Sequence, residues 1–544
     1  MTRSRLRPGH VLRLTEPRSI RKFHGLVMRT NRIKRPILAM LLLLSLSLAS
    51  GFSASTISDS DWPQLAREPG RTAHAPSGVP PPYRARWIWC GPDRTLRNKA
   101  AKSAWPDDLA VGTKPGVDYP MPDKVPFTFS GRAQPVVAGG KVFIGDLDGK
   151  VYALSLDDGR TLWVADHPGG TCAALAVVGE VVVATAIPGG LTAFDVVTGR
   201  SRWRIDTPKA ITGAPLVLGG AVYSGCHDGR VYAVAALSGK ILWISPNLGA
   251  SIVGDLCGDG GAIFVGAENM FFHKLDAATG QVLAKTRLNG QSYRLLHPVL
   301  HQGLLFVQTV QPICVGSEYV MESVMRDSPD LATEQTNILR WLAGDTNGGQ
   351  WRDASTAWKH LFVLRSDDLT EAFTVPNGPA DGCGSPAPPP VVDGDGRVLA
   401  WFKTAHPTLT AKGSFGTRYS MDISAIDLQT GLRLPIDNGR LSGTTGESDN
   451  LFALSSGGSF LYLRQRFRGT KMIDLKRGTS HLIQAAVRTR DGGNWLADVV
   501  YRDRGGLPHC SQPSLNGREA VVIAGDKLLF AEDYCVTCVE HREP

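Results

Sequence analysis

Hydrophobic and polar residues alternate over short runs along most of this chain, and the runs are broken by glycine-bearing turns. The clearest stretch is VYALSLDDGRTLW, Val151 to Trp163: an alternating strand, a tight Asp-Asp-Gly turn, and a second strand carrying a tryptophan. The same phrase returns as LTAFDVVTGRSRW, Leu191 to Trp203, and as VYAVAALSGKILW, Val231 to Trp243. Ala153, Ala193 and Ala233 step by 40 residues, as do Gly159, Gly199 and Gly239, and Trp163, Trp203 and Trp243. Upstream, Val142-Phe-Ile-Gly, Val182-Val-Ala-Thr and Val222-Tyr-Ser-Gly keep the same step. Several columns held in register through three copies identify an internal repeat.

Each unit reads as four short antiparallel strands, A to D, joined by turns such as Gly139-Gly140, Asp148-Gly149 and Asp158-Gly159. Four strands every 40 residues predict a propeller blade, which buries its two faces against its neighbours and needs ring closure to protect its ends. Fainter copies continue. Gly261-AIFVG with Phe271-FHKLDAATGQVLA makes blade 4, with Ala284 in the tryptophan place; Gly303-LLFVQ with Leu361-FVLRSDDLTEAF makes blade 5, with Phe373 there. Gly396-RVLAWF and Ile423-SAIDLQTGLRL give blade 6, Ser459-FLYLR and Lys471-MIDLKRG blade 7, and Ala520-VVIAGDKLLFA with Cys535-VTCVEH blade 8, one strand short. Arg84-ARWIWC90 has the look of a strand D without strands A to C of its own, so the ring is expected to close by pairing the N-terminal strand with the C-terminal blade. The fold class is therefore all-β, an eight-bladed propeller of four-stranded antiparallel blades closed by an N-terminal strand; seven blades is the alternative.

The organisation expected is a basic leader and signal peptide at 1–55, a lead-in segment at 56–83, and a single propeller at 84–544. Insertions at 309–358 and 484–508 break the rhythm. The first carries helical spacing (Val320, Val324, Met325; Ile338, Leu339, Leu342), and the second reads as an extra hairpin turning at Asp491-Gly492-Gly493. Such loops sit over one end of a ring and carry specificity.

The net charge of +9 raises the question of a nucleic-acid partner, and its distribution removes it. Eleven of the 59 Lys and Arg lie in residues 1–36 beside a single acid, Glu16, leaving 48 basic and 49 acidic residues elsewhere. No basic stripe remains to meet phosphates. The leader itself has the pattern of an export signal: Arg29-TNRIKR, an apolar run from Pro36 through Ser50, then small residues at Ala49-Ser50-Gly51. The run is short for a membrane span, which needs roughly 20 residues, although an uncleaved anchor is the alternative. Met28 is a second candidate start. With no cysteine just after the apolar run, lipid anchoring is not expected, and the chain is placed in the periplasm or cell envelope. Nine cysteines, at 90, 172, 226, 257, 314, 383, 510, 535 and 538, suit an oxidising compartment and leave at least one unpaired.

The Ala-x5-Gly-x3-Trp columns (Ala153/Gly159/Trp163, Ala193/Gly199/Trp203, Ala233/Gly239/Trp243), with Asp61-Trp62-Pro63-Gln64 ahead of them, make the chain resemble the bacterial propellers built from pyrroloquinoline-quinone (PQQ)-type repeats. The resemblance is strong over 130–285 and continues at pattern level beyond. It implies eight blades with tryptophans that lock neighbours together, and it implies little about activity, because one fold hosts many functions.

In quinone-using members the cofactor lies over the axial funnel with calcium and an acidic base. The corresponding funnel positions here, the starts of the A strands, are Arg132, the Cys172 region, Thr212, Asp255, Arg294, His297, Ser385 and Glu447. Glu447, Asp449 and Asn450 have the oxygen chemistry for calcium and for taking an alcohol proton. The adjacent cysteines of many alcohol-oxidising members are missing, and Cys535-VTCVEH places its histidine too late for haem attachment. Residues three apart on a strand face opposite ways, which disfavours a redox dithiol there, and no second ligand pair offers a zinc site. Cys90 ends the strand expected to neighbour Cys535 to Cys538, so a disulfide from Cys90 to one of these two is expected.

The function expected is a non-enzymatic binding or scaffold propeller, without cofactor or metal, acting as a monomer on other envelope proteins or on a small ligand at the funnel. The propeller subunit of the outer-membrane barrel-assembly machine is the analogue in class. The alternatives are a quinoprotein dehydrogenase using PQQ and calcium, and a carbohydrate-binding or carbohydrate-cleaving propeller resting on Trp341, Trp351 and Trp358.

Overall fold

The computed structural model describes residues 57–93, 95–99, 101–102, 129–310, 328–343, 359–378, 387–409, 415–436, 451–465, 469–483, 519–532 and 535–543. Their strands assemble into eight antiparallel sheets, each built in the order A-B-C-D, and these are the eight blades of a propeller. In blade 1 the strands are Val136–Ala138, Lys141–Gly145, Lys150–Ser155 and Thr161–Asp166. The glycines of the A–B and C–D turns sit at positive φ (Gly140 +72°, Gly159 +67°), where only glycine is unstrained. Strands B and C are buried on both faces because a neighbouring blade covers each side; strand D alternates half-buried and exposed at the rim.

Ring closure falls where the repeat register placed it. Tyr83–Trp89 pairs antiparallel with Cys535–His541 and supplies the outermost regular strand of blade 8, with Trp87 opposite Cys538 and Trp89 opposite Val536. Arg84 ion-pairs with Glu540 across this seam, and Arg86 reaches Asp157 of blade 1 at 2.8 Å. Thr95–Arg97 adds a fifth strand outside it.

Adjacent blades are pinned by one recurring contact. The Trp163 indole lies against Gly199, and its Nε1–H donates to the Val196 carbonyl at 3.3 Å. Trp203 does the same to Gly239 and Ala236 (2.7 Å), and Trp243 to Gly280 and Ala277 (3.0 Å). Trp87 of blade 8 completes the series on Gly159 and Leu156 (3.0 Å), and Phe373 packs against Gly431. Ala284 cannot reach across, and there Lys274 Nζ donates to the Asp367 carbonyl at 3.0 Å instead.

The lead-in segment is part of the ring. Between Asp59 and Ala75 it passes every innermost strand in turn. Asp59 C=O accepts from Gly525 N–H of blade 8 (3.2 Å), and Trp62 exchanges two 2.8 Å bonds with Val137 of blade 1. Pro63 C=O accepts from Val177 of blade 2 (2.7 Å), and the Gln64 carboxamide pairs with Val217 of blade 3. The carbonyls of Pro69, Gly70, Thr72 and Ala73 then accept from Gly258, Leu300, Val392 and Ser456 of blades 4 to 7. His74–Ala75 ends the circuit as a parallel strand on blade 7.

The first insertion contributes an α-helix, α1 (Leu331–Ala343). Asp330 caps it by accepting from Thr333 N–H at 2.8 Å. The helix lies against the outermost strand of blade 6, Arg433–Pro435: Gln335 Oε1 accepts from Arg433 N–H at 2.6 Å and its Nε2–H donates to the Arg433 carbonyl at 3.5 Å. One side chain thus satisfies both backbone groups of an edge strand, a position where open hydrogen-bonding groups invite wrong partners. The described part of this insertion therefore serves the rim, where the sequence suggested a cover over one end. Of its predicted apolar positions Ile338 is buried, while Val320, Val324 and Met325 lie outside the described residues, as does the 484–508 insertion.

Candidate functional site

The innermost strands begin at one mouth of the axial channel, and the residues just ahead of them are the ones the repeat register assigned to a funnel. Four of these meet: Arg132, Thr212, Asp255 and Cys172. Arg132, ahead of blade 1, sends its guanidinium across to ion-pair with Asp255, ahead of blade 4, and donates from Nη1 to the Thr212 carbonyl, ahead of blade 3, at 2.9 Å. Asp255 Oδ1 also accepts from Ala214 N–H at 2.6 Å. Both charged side chains are buried, at 8% and 1% exposure, so each depends on the other. The neighbouring carboxylate raises the Arg132 pKa further against the opposing effect of burial.

Glu519, which the sequence reading passed over, stands 3.8 Å from Arg132 Nε as a second acid. Cys172 Sγ–H donates to the same Thr212 carbonyl at 3.4 Å, and the Thr212 hydroxyl lies 2.8 Å from His227 Nε2. His297 lines the small cavity below, with Gln134, Glu519 and the apolar Leu65, Ala66 and Ala73 of the lead-in circuit. Withdrawal from water lowers its pKa to about 4, with Arg71 and Arg132 adding to the effect, so the imidazole is neutral at pH 7. Arg294 is exposed and joins neither the ion pair nor the cavity lining. Ser385, Glu447, Asp449 and Asn450 lie outside the described residues.

From the other side the channel is filled by the lead-in circuit itself. Arg71 is fully buried there and spends its guanidinium on carbonyls: Leu256 at 2.9 Å, Leu65 at 2.5 Å and Pro215 at 3.3 Å. Trp62 Nε1–H and Ala66 N–H both donate to Gln134 Oε1 at 3.1 Å. The space left between circuit and ion pair is about 50 Å³, enough for a few waters and far below the roughly 300 Å³ of a ligand pocket.

Three comparisons with known proteins bear on these eight sheets. The family model of outer membrane protein assembly factor BamB matches residues 100–252 and 227–321. The chain is a PQQ-type repeat propeller. No curated protein matches the sequence. Among solved structures, quinohemoprotein alcohol dehydrogenase from Comamonas testosteroni superposes with TM-score 0.54 at 12% identity, covering 90% of this chain and 81% of that one. BamB from Moraxella catarrhalis gives TM-score 0.44 at 13% identity, covering 76% and 95%. A europium-containing methanol dehydrogenase gives 0.46 at 11%, covering 89% and 98%. At 12% identity the likeness to the Comamonas testosteroni enzyme shows the fold alone.

A PQQ-type repeat need not hold PQQ, and the described funnel does not fit the cofactor. A tricarboxylate quinone with calcium needs unengaged cations and oxygen donors. Arg132 is already matched by Asp255 and Glu519, and Asp255 is bonded through both oxygens. Among the described residues, no group of three His, Cys, Asp or Glu side chains is placed to hold a metal ion. Trp341, the one described member of the three insertion tryptophans, is buried and offers no platform for a sugar ring.

Proposed function

We propose that this PQQ-type repeat propeller is an exported, non-enzymatic binding or scaffold protein of the cell envelope, acting on other envelope proteins through its outer surfaces. One observation carries the reading: the axial site, where relatives of this fold hold a cofactor, is here taken up by the chain's own lead-in circuit and by the Arg132–Asp255 pair. The match to the assembly-factor family supports an envelope partner, and the basic leader with its apolar run supports export. Among the described residues no helix is long and apolar enough to cross a membrane.

The test pairs two measurements on the full chain. Incubation with PQQ and calcium, followed by dye-linked oxidation of primary alcohols, is expected to give neither turnover nor a rise in melting temperature. Cross-linking in intact cells, followed by mass spectrometry, is expected to place an envelope protein against the ring. Turnover with the quinone overturns the proposal and moves the chemistry to Glu447, Asp449 and Asn450 as calcium ligands and base.

A further inference from the structure

The strand that closes the ring is followed directly by a cysteine, and the strand it pairs with begins with one. Trp87, Ile88 and Trp89 lie opposite Cys538, Thr537 and Val536. The paired residues end at Trp89 and Val536; continued one step past them, this antiparallel register sets Cys90, just beyond the strand, opposite Cys535. Facing residues of antiparallel strands hold their Cα atoms about 4.5–5.5 Å apart with side chains on one face, inside the ~4.4–6.8 Å window a disulfide requires. Cys538 is the poorer partner. It lies three residues along the strand, on the opposite face, across from Trp87. It is fully buried, and burial holds its thiol far above the ordinary range.

We propose that Cys90 and Cys535 form a disulfide that fastens the N-terminal closing strand into blade 8. Oxidation passes two electrons to the disulfide of a thiol–disulfide exchange partner. The Cys90 thiolate attacks one sulfur of that disulfide, forming a mixed disulfide and expelling the partner's first thiolate. The Cys535 thiolate then attacks Cys90 Sγ, expelling the second thiolate. A Cys90–Cys535 bond has formed, the partner's bond has become a dithiol, and the two protons leave with it. Cys535 is 1% exposed once the strands are paired, so the exchange belongs to folding, before the seam is sealed.

The inference rests on the exported reading only for its oxidising surroundings, and the experiment separates the two. The full chain is unfolded, refolded with a glutathione redox buffer, alkylated, digested without reductant and mapped by mass spectrometry. A linked peptide joining Cys90 to Cys535 is expected, retained in C538S and absent in C90S. Dithiothreitol is expected to hasten proteolysis of the refolded wild type and to leave C90S unchanged. A Cys90–Cys538 peptide, or alkylated Cys90 and Cys535 in the refolded chain, overturns the proposal. Alkylation in intact cells before lysis then reads the compartment: reduced cysteines there, with a linked peptide after refolding, sink the export reading and leave the pairing standing.

Discussion

Gly199→Ala tests the tryptophan pin directly. Gly199 sits at φ +70°, and a Cβ built on it falls 2.6, 2.7 and 3.0 Å from Trp163 Cδ2, Cε3 and Cγ, well inside van der Waals contact. Alanine in this left-handed conformation costs about 1 kcal/mol before any contact is counted. The indole must also withdraw, straining its 3.3 Å bond to Val196, worth about 1 kcal/mol. Loss of part of a half-buried tryptophan's packing adds ~1–2 kcal/mol, against ~3–5 for complete truncation of a buried one. The expected total is about 3–4 kcal/mol. Gly219→Ala is the control, because Gly219 has φ +58° and nothing lies within 4 Å of its Cβ; it should cost about 1 kcal/mol. Urea titrations followed by far-ultraviolet circular dichroism give both values. In a Trp163→Ala background the two glycine variants should cost the same. Equal costs in the wild-type background, or an undiminished Gly199→Ala cost without Trp163, would refute the pin.

Three further outcomes follow from the channel and from blade 5. Arg132→Met should destabilise by ~3–5 kcal/mol because it strands buried Asp255, and a double-mutant cycle with Asp255→Ala should show the pair costing less than the sum. Arg71→Met leaves three buried carbonyls without a donor and should lower the urea midpoint more than Arg67→Met, whose guanidinium donates to one, Ser58. His360 is buried with neither ring nitrogen hydrogen-bonded, and burial alone lowers its pKa to about 4. The unfolded chain takes up its proton near pH 6.5 and the folded chain near 4, so its stabilising contribution is whole above pH 6.5 and fades by up to ~3 kcal/mol as pH falls to 4. His360→Phe should therefore flatten the acid side of the stability profile by close to one proton; an unchanged slope would contradict the assignment.

The blades were legible because a 40-residue step is visible wherever nothing interrupts it. Trp163, Trp203 and Trp243 announce themselves this way. Trp87 carries the same role in blade 8 but is cut off from the series by residues 91–135, so the step fails there although the strand pattern survives. Phe373 was readable as a substitute. The channel was less legible. Arg132, Thr212 and Asp255 could be addressed by register, but their meeting could not, since Arg132 and Asp255 are 123 residues apart and touch only because the ring brings blades 1 and 4 round one axis. Glu519 was missed because register is weak ahead of blade 8. The path of the lead-in segment left hardly any trace in sequence: most of its bonds use backbone carbonyls, which any residue supplies, and the exceptions, Gln64 and Arg71, look like surface residues until their partners are known.

That path makes the lead-in segment a gauge of circumference. Its acceptors are spaced so that donors from all eight blades are met in a single lap between Asp59 and Ala75. A ring with one blade deleted would leave an acceptor facing empty channel, and a ring with one added would run out of chain before the seam. Blade number in this protein is thus written twice, once in the repeats and once in a segment outside them. The full lap is satisfied only when all eight blades are in place, so the segment checks the count of the finished ring rather than of any part of it.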